Sequence, residues 1–225
     1  MRVVRRVLYW LATIITAFVA LLIVAGYVAY RRYVLPDANQ LVVGESPGTV
    51  PMRWVAASTN PDEPHGALLV PVRVGRVDRT FYLQLDLGHP STELYRPMLE
   101  AIERHSGPGA VDSDGDLRSV ADLRVRIGDV PVQIRRVRLR NLGDGSIRWG
   151  DPEGVELIGT LGSDFLEGRS LLVDYRREQL LVNPKREGLV PESIIADFDF
   201  RYRRVLLPAR IGGRRVRLLY DSGSS

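Results

Sequence analysis

The chain has no cysteine. That absence excludes disulfides, thiolate metal centres and a cysteine nucleophile, and it fits either side of a membrane. Histidine is scarce: His65, His89 and His105 are scattered without the spacing of metal ligands. Acidic residues are missing altogether from residues 1–32, which carry five arginines. With those five set aside, 26 of the 31 basic side chains remain against 27 acidic ones, so the body of the chain is near neutral. A near-neutral body offers no footprint for nucleic acid. The expectation is a protein that binds no nucleic acid, holds no metal and needs no cofactor.

What the first thirty residues do have is apolar length. Residues 7–30 form an uncharged run of 24 residues, and about 20 suffice to cross a bilayer as a helix. Tyr9 and Trp10 at one end, and Tyr27 and Tyr30 at the other, suit the two interfaces of a membrane. A cleaved signal peptide has an apolar core of about 7–15 residues and a small-residue cleavage site. This run is too long, and Gly26-Tyr27-Val28-Ala29-Tyr30 is a poor cleavage site. Residues 1–32 are therefore expected to be an uncleaved signal anchor with a single span at 7–30. Three arginines precede the span and two follow it. That bias points to a single-pass protein of the cell membrane, with its N-terminus in the cytoplasm and its body outside.

Residues 33–65 hold five prolines and little periodicity, as expected of a linker or lead-in in which residues 52–55 pair at a sheet edge. From Gly66 onward the pattern is that of strands. Ala67–Val74 and Thr80–Leu85 are apolar or alternating runs joined by a polar turn, and Asp86-Leu87-Gly88-His89-Pro90 follows. Leu94, Met98, Leu99 and Ile102 predict a short helix over residues 93–105. Two Gly/Asp loops, 106–117 and 141–154, flank a hairpin predicted for 123–127 and 130–139. Asp112-Ser113-Asp114-Gly115-Asp116 looks like a calcium loop, but Leu123 stands at its twelfth position where an acid is required, so a solvated turn is expected. Leu157-Ile158-Gly159 reads as a short apolar strand running into a helical turn at 162–166, and residues 171–175 and 179–183 as a further strand pair.

The pattern breaks over residues 184–199 and then restarts. Pro208-Ala209-Arg210-Ile211-Gly212 repeats Pro71-Val72-Arg73-Val74-Gly75, and both lead through an apolar strand to an Asp-x-Gly turn, the second being Asp221-Ser222-Gly223. The Gly-to-Asp spacing differs by two residues, a change that keeps every side chain on the same face because the strand period is two.

This order of elements resembles one lobe of the pepsin-like and retropepsin-like aspartic peptidases over residues 66–183, with the opening of a second lobe at 200–225. Leu157-Ile158-Gly159 is similar to that family's apolar-apolar-Gly segment, and Leu171-Leu172-Val173-Asp174-Tyr175 with Glu178-Gln179-Leu180-Leu181-Val182 to its closing hairpin. The resemblance implies a mainly β fold: a retropepsin-like barrel lobe preceded by one transmembrane helix, and a second lobe that is incomplete. It implies hydrolysis of peptide or protein substrates by a water held between two carboxylates, Asp86 and Asp221. Gly88, Ser222 and Gly223 would support the turns.

In the family a Thr or Ser follows the aspartate, and its hydroxyl bonds to the other lobe. Ser222 meets this requirement and Leu87 does not. The expectation is that the sequence belongs to a longer two-lobed protein; if the chain truly ends at Ser225, a homodimer would be the route to two carboxylates. An alternative of a different class is a non-catalytic protein of the same fold that binds a peptide or partner in the cleft, with Leu87 as the mark of lost chemistry. A membrane-anchored β scaffold with no cleft function is the third reading.

Overall fold

The computed structural model describes residues 2–33, 39–56, 62–107, 109–111, 119–120, 122–185 and 198–223. It is mainly β, with 41% of residues in strands and 22% in helices. The chain divides into two units, Met1–Pro36 and Asp37–Ser225. The first is one helix, α1 (Arg2–Tyr33). Its segment Tyr9–Arg31, 23 residues with a mean hydropathy of 2.5, is long and apolar enough to cross a membrane.

The second unit opens with β1 (Gln40–Val43), β2 (Gly48–Pro51) and β3 (Arg53–Val55). It continues with β4 (Ala67–Val74), β5 (Thr80–Leu85), β6 (Glu93–Tyr95), α2 (Arg96–Ser106) and the short β7 (Ser119–Val120). Then come β8 (Leu123–Ile127), β9 (Val130–Arg140), β10 (Leu157–Leu161), a 3-10 turn at Ser163–Leu166, β11 (Leu171–Asp174) and β12 (Gln179–Val182). The last three strands are β13 (Asp199–Arg201), β14 (Arg204–Ile211) and β15 (Arg214–Leu219).

Six of these strands close into a barrel. β4 pairs with β5, β5 with β10, β10 with β6, β6 with β9, β9 with β8, and β8 returns to β4. Closure leaves these six strands without a free edge within the ring. β10 is parallel to β5 and antiparallel to β6, so it threads between the strand that leads to Asp86 and the strand that follows that turn. Alternation fills the interior. Phe81, Leu83 and Leu85 of β5, Leu123, Val125 and Ile127 of β8, and Val130, Val132 and Ile134 of β9 all point into one core. Each such side chain contributes about 1.5–3 kcal/mol on burial. The phase then shifts on β9: Arg135 and Arg136 are both exposed before Val137 turns inward. Opposite them the β1 register slips between Gln40 and Leu41, as a β-bulge does when one extra residue is inserted.

Two sequence expectations are corrected. Residues 33–65 are not only a linker or lead-in. Three strands lie there: β1 on β9, β2 on β12, and β3 at the edge beside β4 as foreseen. The prolines are compatible because Pro51 sits at the end of β2 and Pro47 outside any strand. The helix predicted from residue 93 begins at Arg96, since Glu93–Tyr95 is drawn into the sheet between β9 and β10. Pro97 then occupies the first turn, where its missing N–H has no partner to lose. The calcium-like stretch 112–116 lies outside the described residues.

Asp164, in the turn after β10, joins three separated segments. Its carboxylate accepts hydrogen bonds from Asn39 Nδ2 (2.7 Å), the Thr92 backbone N–H (2.8 Å) and the Thr92 hydroxyl (2.6 Å). Burial pushes its pKa up, against the pull of these donors. Asp164→Ala removes the acceptor and leaves buried donors unsatisfied. It is expected to lower the unfolding free energy of the detergent-solubilised full chain by more than about 2 kcal/mol. A urea midpoint equal to that of the wild type would contradict this account.

Candidate functional site

β5 delivers Asp86 to the end of the barrel, and the Asp86 backbone N–H donates to the Leu161 carbonyl of β10 (3.0 Å). The Asp86 Oδ1 accepts the N–H groups of Gly88 (3.0 Å) and His89 (2.9 Å), which fixes the carboxyl over its own turn. β15 delivers Asp221 in the same manner, and Asp221 Oδ1 accepts the Gly223 N–H at 3.0 Å.

The two turns sit at the ends of equivalent hairpins. Pro71 pairs with Tyr82, the fourth residue before Asp86, and Pro208 with Arg217, the fourth residue before Asp221. Val70 faces Leu83 and Val72 faces Phe81 in the first hairpin, as Leu207 faces Leu218 and Ala209 faces Val216 in the second. The two-residue difference noted in the sequence is absorbed in the hairpin loops, and register relative to the aspartates is unchanged. Exposure differs: Phe81 and Leu83 are buried, whereas Leu218 is 45% exposed.

The turns meet reciprocally. A Cβ added to Gly88 would overlap the carboxyl group of Asp221, and one added to Gly223 would overlap that of Asp86. Only glycine permits this approach on both sides. The Ser222 hydroxyl then ties the turns together: it accepts the Leu87 N–H (3.0 Å) and donates to the Leu85 carbonyl (3.1 Å). Gln84 Nε2 adds a bond to the Gly223 carbonyl at 3.3 Å. Leu87 has no hydroxyl to return the Ser222 contact, and its side chain is buried in the barrel core instead.

Asp86 is half-buried, and its carboxyl is held above the ordinary aspartate range. Burial is the largest cause; the facing Asp221 adds to it, while the turn N–H groups and the His89 ring oppose it. His89 packs beside the turn, with Nδ1 2.6 Å from the Ser91 carbonyl and Nε2 3.8 Å from the Glu93 carboxylate.

Leu157, Ile158 and Gly159 build the strand under the turn. Ile158 is buried in the core, and the β5–β10 register shifts between Leu157 and Gly159. A Cβ on Gly159 would strike the Glu93 carbonyl, so the glycine lets β10 slide between β5 and β6. All the predicted site residues thus fall in one region: Asp86, Gly88, Asp221, Ser222 and Gly223 form the paired turns, and Leu157, Ile158 and Gly159 belong to the strand that supports Asp86.

Sequence reasoning missed two further ties. The Tyr220 hydroxyl meets that of Tyr175 at 2.6 Å, and Tyr175 stacks on Trp54 with centroids 6.2 Å apart. Arg203 grips Glu167 with two bonds of 2.8 and 3.0 Å, and the Ser163 hydroxyl bonds the Arg203 carbonyl. The alternation around Tyr220 signalled a strand, but nothing in the sequence paired it with Tyr175. Among the described residues no group of three or more His, Asp or Glu side chains is arranged to hold a metal ion.

No protein-family model and no curated protein sequence matches the chain. The geometry of the paired turns is therefore the ground for any functional reading.

Two outcomes test this geometry. Ser222→Ala strands the Leu87 N–H and the Leu85 carbonyl and is expected to cost about 1–3 kcal/mol of stability, with Ser222→Thr retaining most of it; equal unfolding midpoints for all three proteins would argue against the bridge. Because Asp86 holds its proton more tightly folded than unfolded, its contribution to stability is full below the ordinary value of 3.8 and is lost as pH rises through the raised folded value. Asp221→Asn removes the facing charge, so the Asp86 carboxyl resonance should titrate at lower pH than in the wild type. An unmoved midpoint would mean that the two carboxyls do not sense each other.

Proposed function

We propose that the chain is an aspartic-type endopeptidase-like protein, anchored in a membrane by α1, that hydrolyses peptide bonds with a water held between Asp86 and Asp221. The observation that carries this reading is the reciprocal packing of the two Asp-x-Gly turns, each glycine against the other turn's carboxyl, with the Ser222 hydroxyl bridging them. Like charges brought this close do not both ionise, so the pair shares one proton. Asp86, pushed up by burial and by Asp221, is the member that keeps it.

In the proposed step the ionised carboxylate of Asp221 takes a proton from the water as its oxygen attacks the scissile carbonyl carbon. Asp86 delivers its proton to the carbonyl oxygen, giving a gem-diol. The C–N bond then breaks as Asp221 gives its proton to the amine nitrogen, one gem-diol hydroxyl returns its proton to Asp86, and the carbonyl re-forms as a carboxylic acid. The polypeptide substrate supplies the carbonyl; no cofactor enters the balance. The arginines on either side of the apolar run 7–30 favour an arrangement with the body outside the cytoplasm.

Leu87 supports a second reading of a different class. With a hydroxyl on one side only, the bridge between the turns is half of a reciprocal pair, and a protein that binds a peptide in the cleft without cleaving it would tolerate that loss. Digestion of casein and of a peptide library by the full chain in detergent, at acidic and neutral pH, separates the two. For the peptidase, Asp86→Asn and Asp221→Asn each reduce cleavage by about 10³-fold or more, and Leu87→Thr raises it. Peptide retention without cleavage, unaffected by either Asn variant, would favour the binding reading, and cleavage that persists in Asp221→Asn would remove the pair from the mechanism.

A further inference from the structure

The tip of the β4–β5 hairpin stands between two adjoining clefts of about 560 and 590 Å³, which share Arg73, Arg76, Val77 and Asp78 in their walls. Volumes in this range accommodate small ligands. Arg79, His105 and Trp149 complete one cleft, and Arg124 and Arg126 the other.

The charge here is unbalanced in a body that is otherwise near neutral. Among the described residues Arg73, Arg76, Arg124 and Arg126 meet no carboxylate; other exposed arginines such as Arg210 and Arg215 share that state, and what sets these four apart is that they line adjoining clefts. Among the described residues, the one side-chain polar contact of these four is a long bond from Arg126 Nη1 to the Asp129 carbonyl (3.5 Å). Arg73 and Arg126 are direct cross-strand partners, and Arg124 lies two residues along the same face. Like charges directly opposite in a ladder destabilise it, so this sequence spends stability to hold three cations together.

Arg79 borders the same groove. Only 8% of it is exposed, its Nη1 and Nη2 donate to the Arg148 and Asp151 carbonyls (3.0 and 2.9 Å), Nη2 lies 3.7 Å from the Glu156 carboxylate, and its Nε has no hydrogen-bond partner. Beside it His105 stacks flat on Trp149, with centroids 3.6 Å apart and an interplanar angle of 9°.

We propose that this groove is a binding site for a phosphate-bearing ligand. Guanidinium forks match phosphate oxygens two at a time, and an anion between Arg73 and Arg126 turns their repulsion into a bridge. The His105–Trp149 stack gives the rest of the ligand a flat wall. The site is separate from the paired carboxylates: Thr80, the first residue of β5, lines the groove, and Asp86 follows the last, a strand length of roughly 20 Å away. It does not depend on the peptidase reading.

A free phosphate ester and an anionic phospholipid headgroup share this chemistry, and the test separates them. The full chain is placed in phosphatidylcholine nanodiscs, and hydrogen exchange of residues 71–79 and 123–127 is followed as tripolyphosphate is added, and again in nanodiscs containing phosphatidylglycerol. Slowed exchange with tripolyphosphate assigns a soluble ligand; slowed exchange with phosphatidylglycerol alone assigns a headgroup; unchanged exchange in both arms overturns the proposal. Arg73→Glu should weaken binding by about tenfold or more while raising the melting temperature, because it converts a facing like-charge pair into an opposite one. Arg124→Gln, on the same face, should weaken binding and raise the melting temperature by less than Arg73→Glu does, because it removes a charge without creating an opposite pair. Wild-type binding in both variants would equally sink the site.

Discussion

Two carboxylates can be held against each other only where the backbone around them leaves no room for anything else and no freedom to swing apart. In this protein that constraint falls on Gly88 and Gly223. Each lacks the side chain that would overlap the opposite carboxyl, and each turn is closed by its own N–H groups on its own aspartate. Everything beneath the turns follows from holding that approach. β10 must pass between β5 and β6 to brace Asp86, Gly159 must be bare for β10 to fit, and Asp164 must fasten the turn after β10 to Asn39 and Thr92. The barrel closes around this arrangement, so a fault in the strand packing would reach the carboxyls through only a few hydrogen bonds.

The two sides are not equivalent. The first hairpin is embedded in the barrel, whereas the second carries its apolar face largely exposed among the described residues and is held to the barrel by discrete ties: Ser222 on Leu85 and Leu87, Tyr220 on Tyr175, and Arg203 on Glu167. The same asymmetry runs through the electrostatics. Asp86 lies half-buried on the barrel side, where desolvation and the facing charge both favour its protonated form. Leu87 belongs to the same pattern: its side chain serves the core of the barrel, and the bridging hydroxyl is left to Ser222.

Much of this was legible in the sequence where local pattern and tertiary role agree. β4 and β5 were foreseen at their observed bounds because alternation, a polar turn and burial all point the same way, and the hairpin across Gly128 and Asp129 for the same reason. The equal registers of β4–β5 and β14–β15 followed from a two-residue loop difference and a strand period of two. Illegible were the elements whose structure is imposed from a distance. β1 and β2 lie in a proline-rich stretch with no period of its own and become strands because β9 and β12 offer edges. Glu93–Tyr95 reads as helix in isolation and is a strand because β9 and β10 flank it. Asp164 carries no local sign of its partners, which lie 72 and 125 residues away.

The arginines show the same limit from the other direction. Alternating Arg and apolar residues on β8 correctly predict one exposed face and one buried face, as they do for most charged strands. What alternation does not reveal is which strand lies alongside. Placing β8 beside β4 sets Arg126 opposite Arg73 and gathers charges that are far apart in sequence. A solvated face and a cation cluster are thus identical in one dimension and differ only once the barrel is closed. Closure also decides where that cluster lies, at the opposite end of β5 from Asp86. One strand therefore starts beside the arginine cluster and ends at the Asp86 turn.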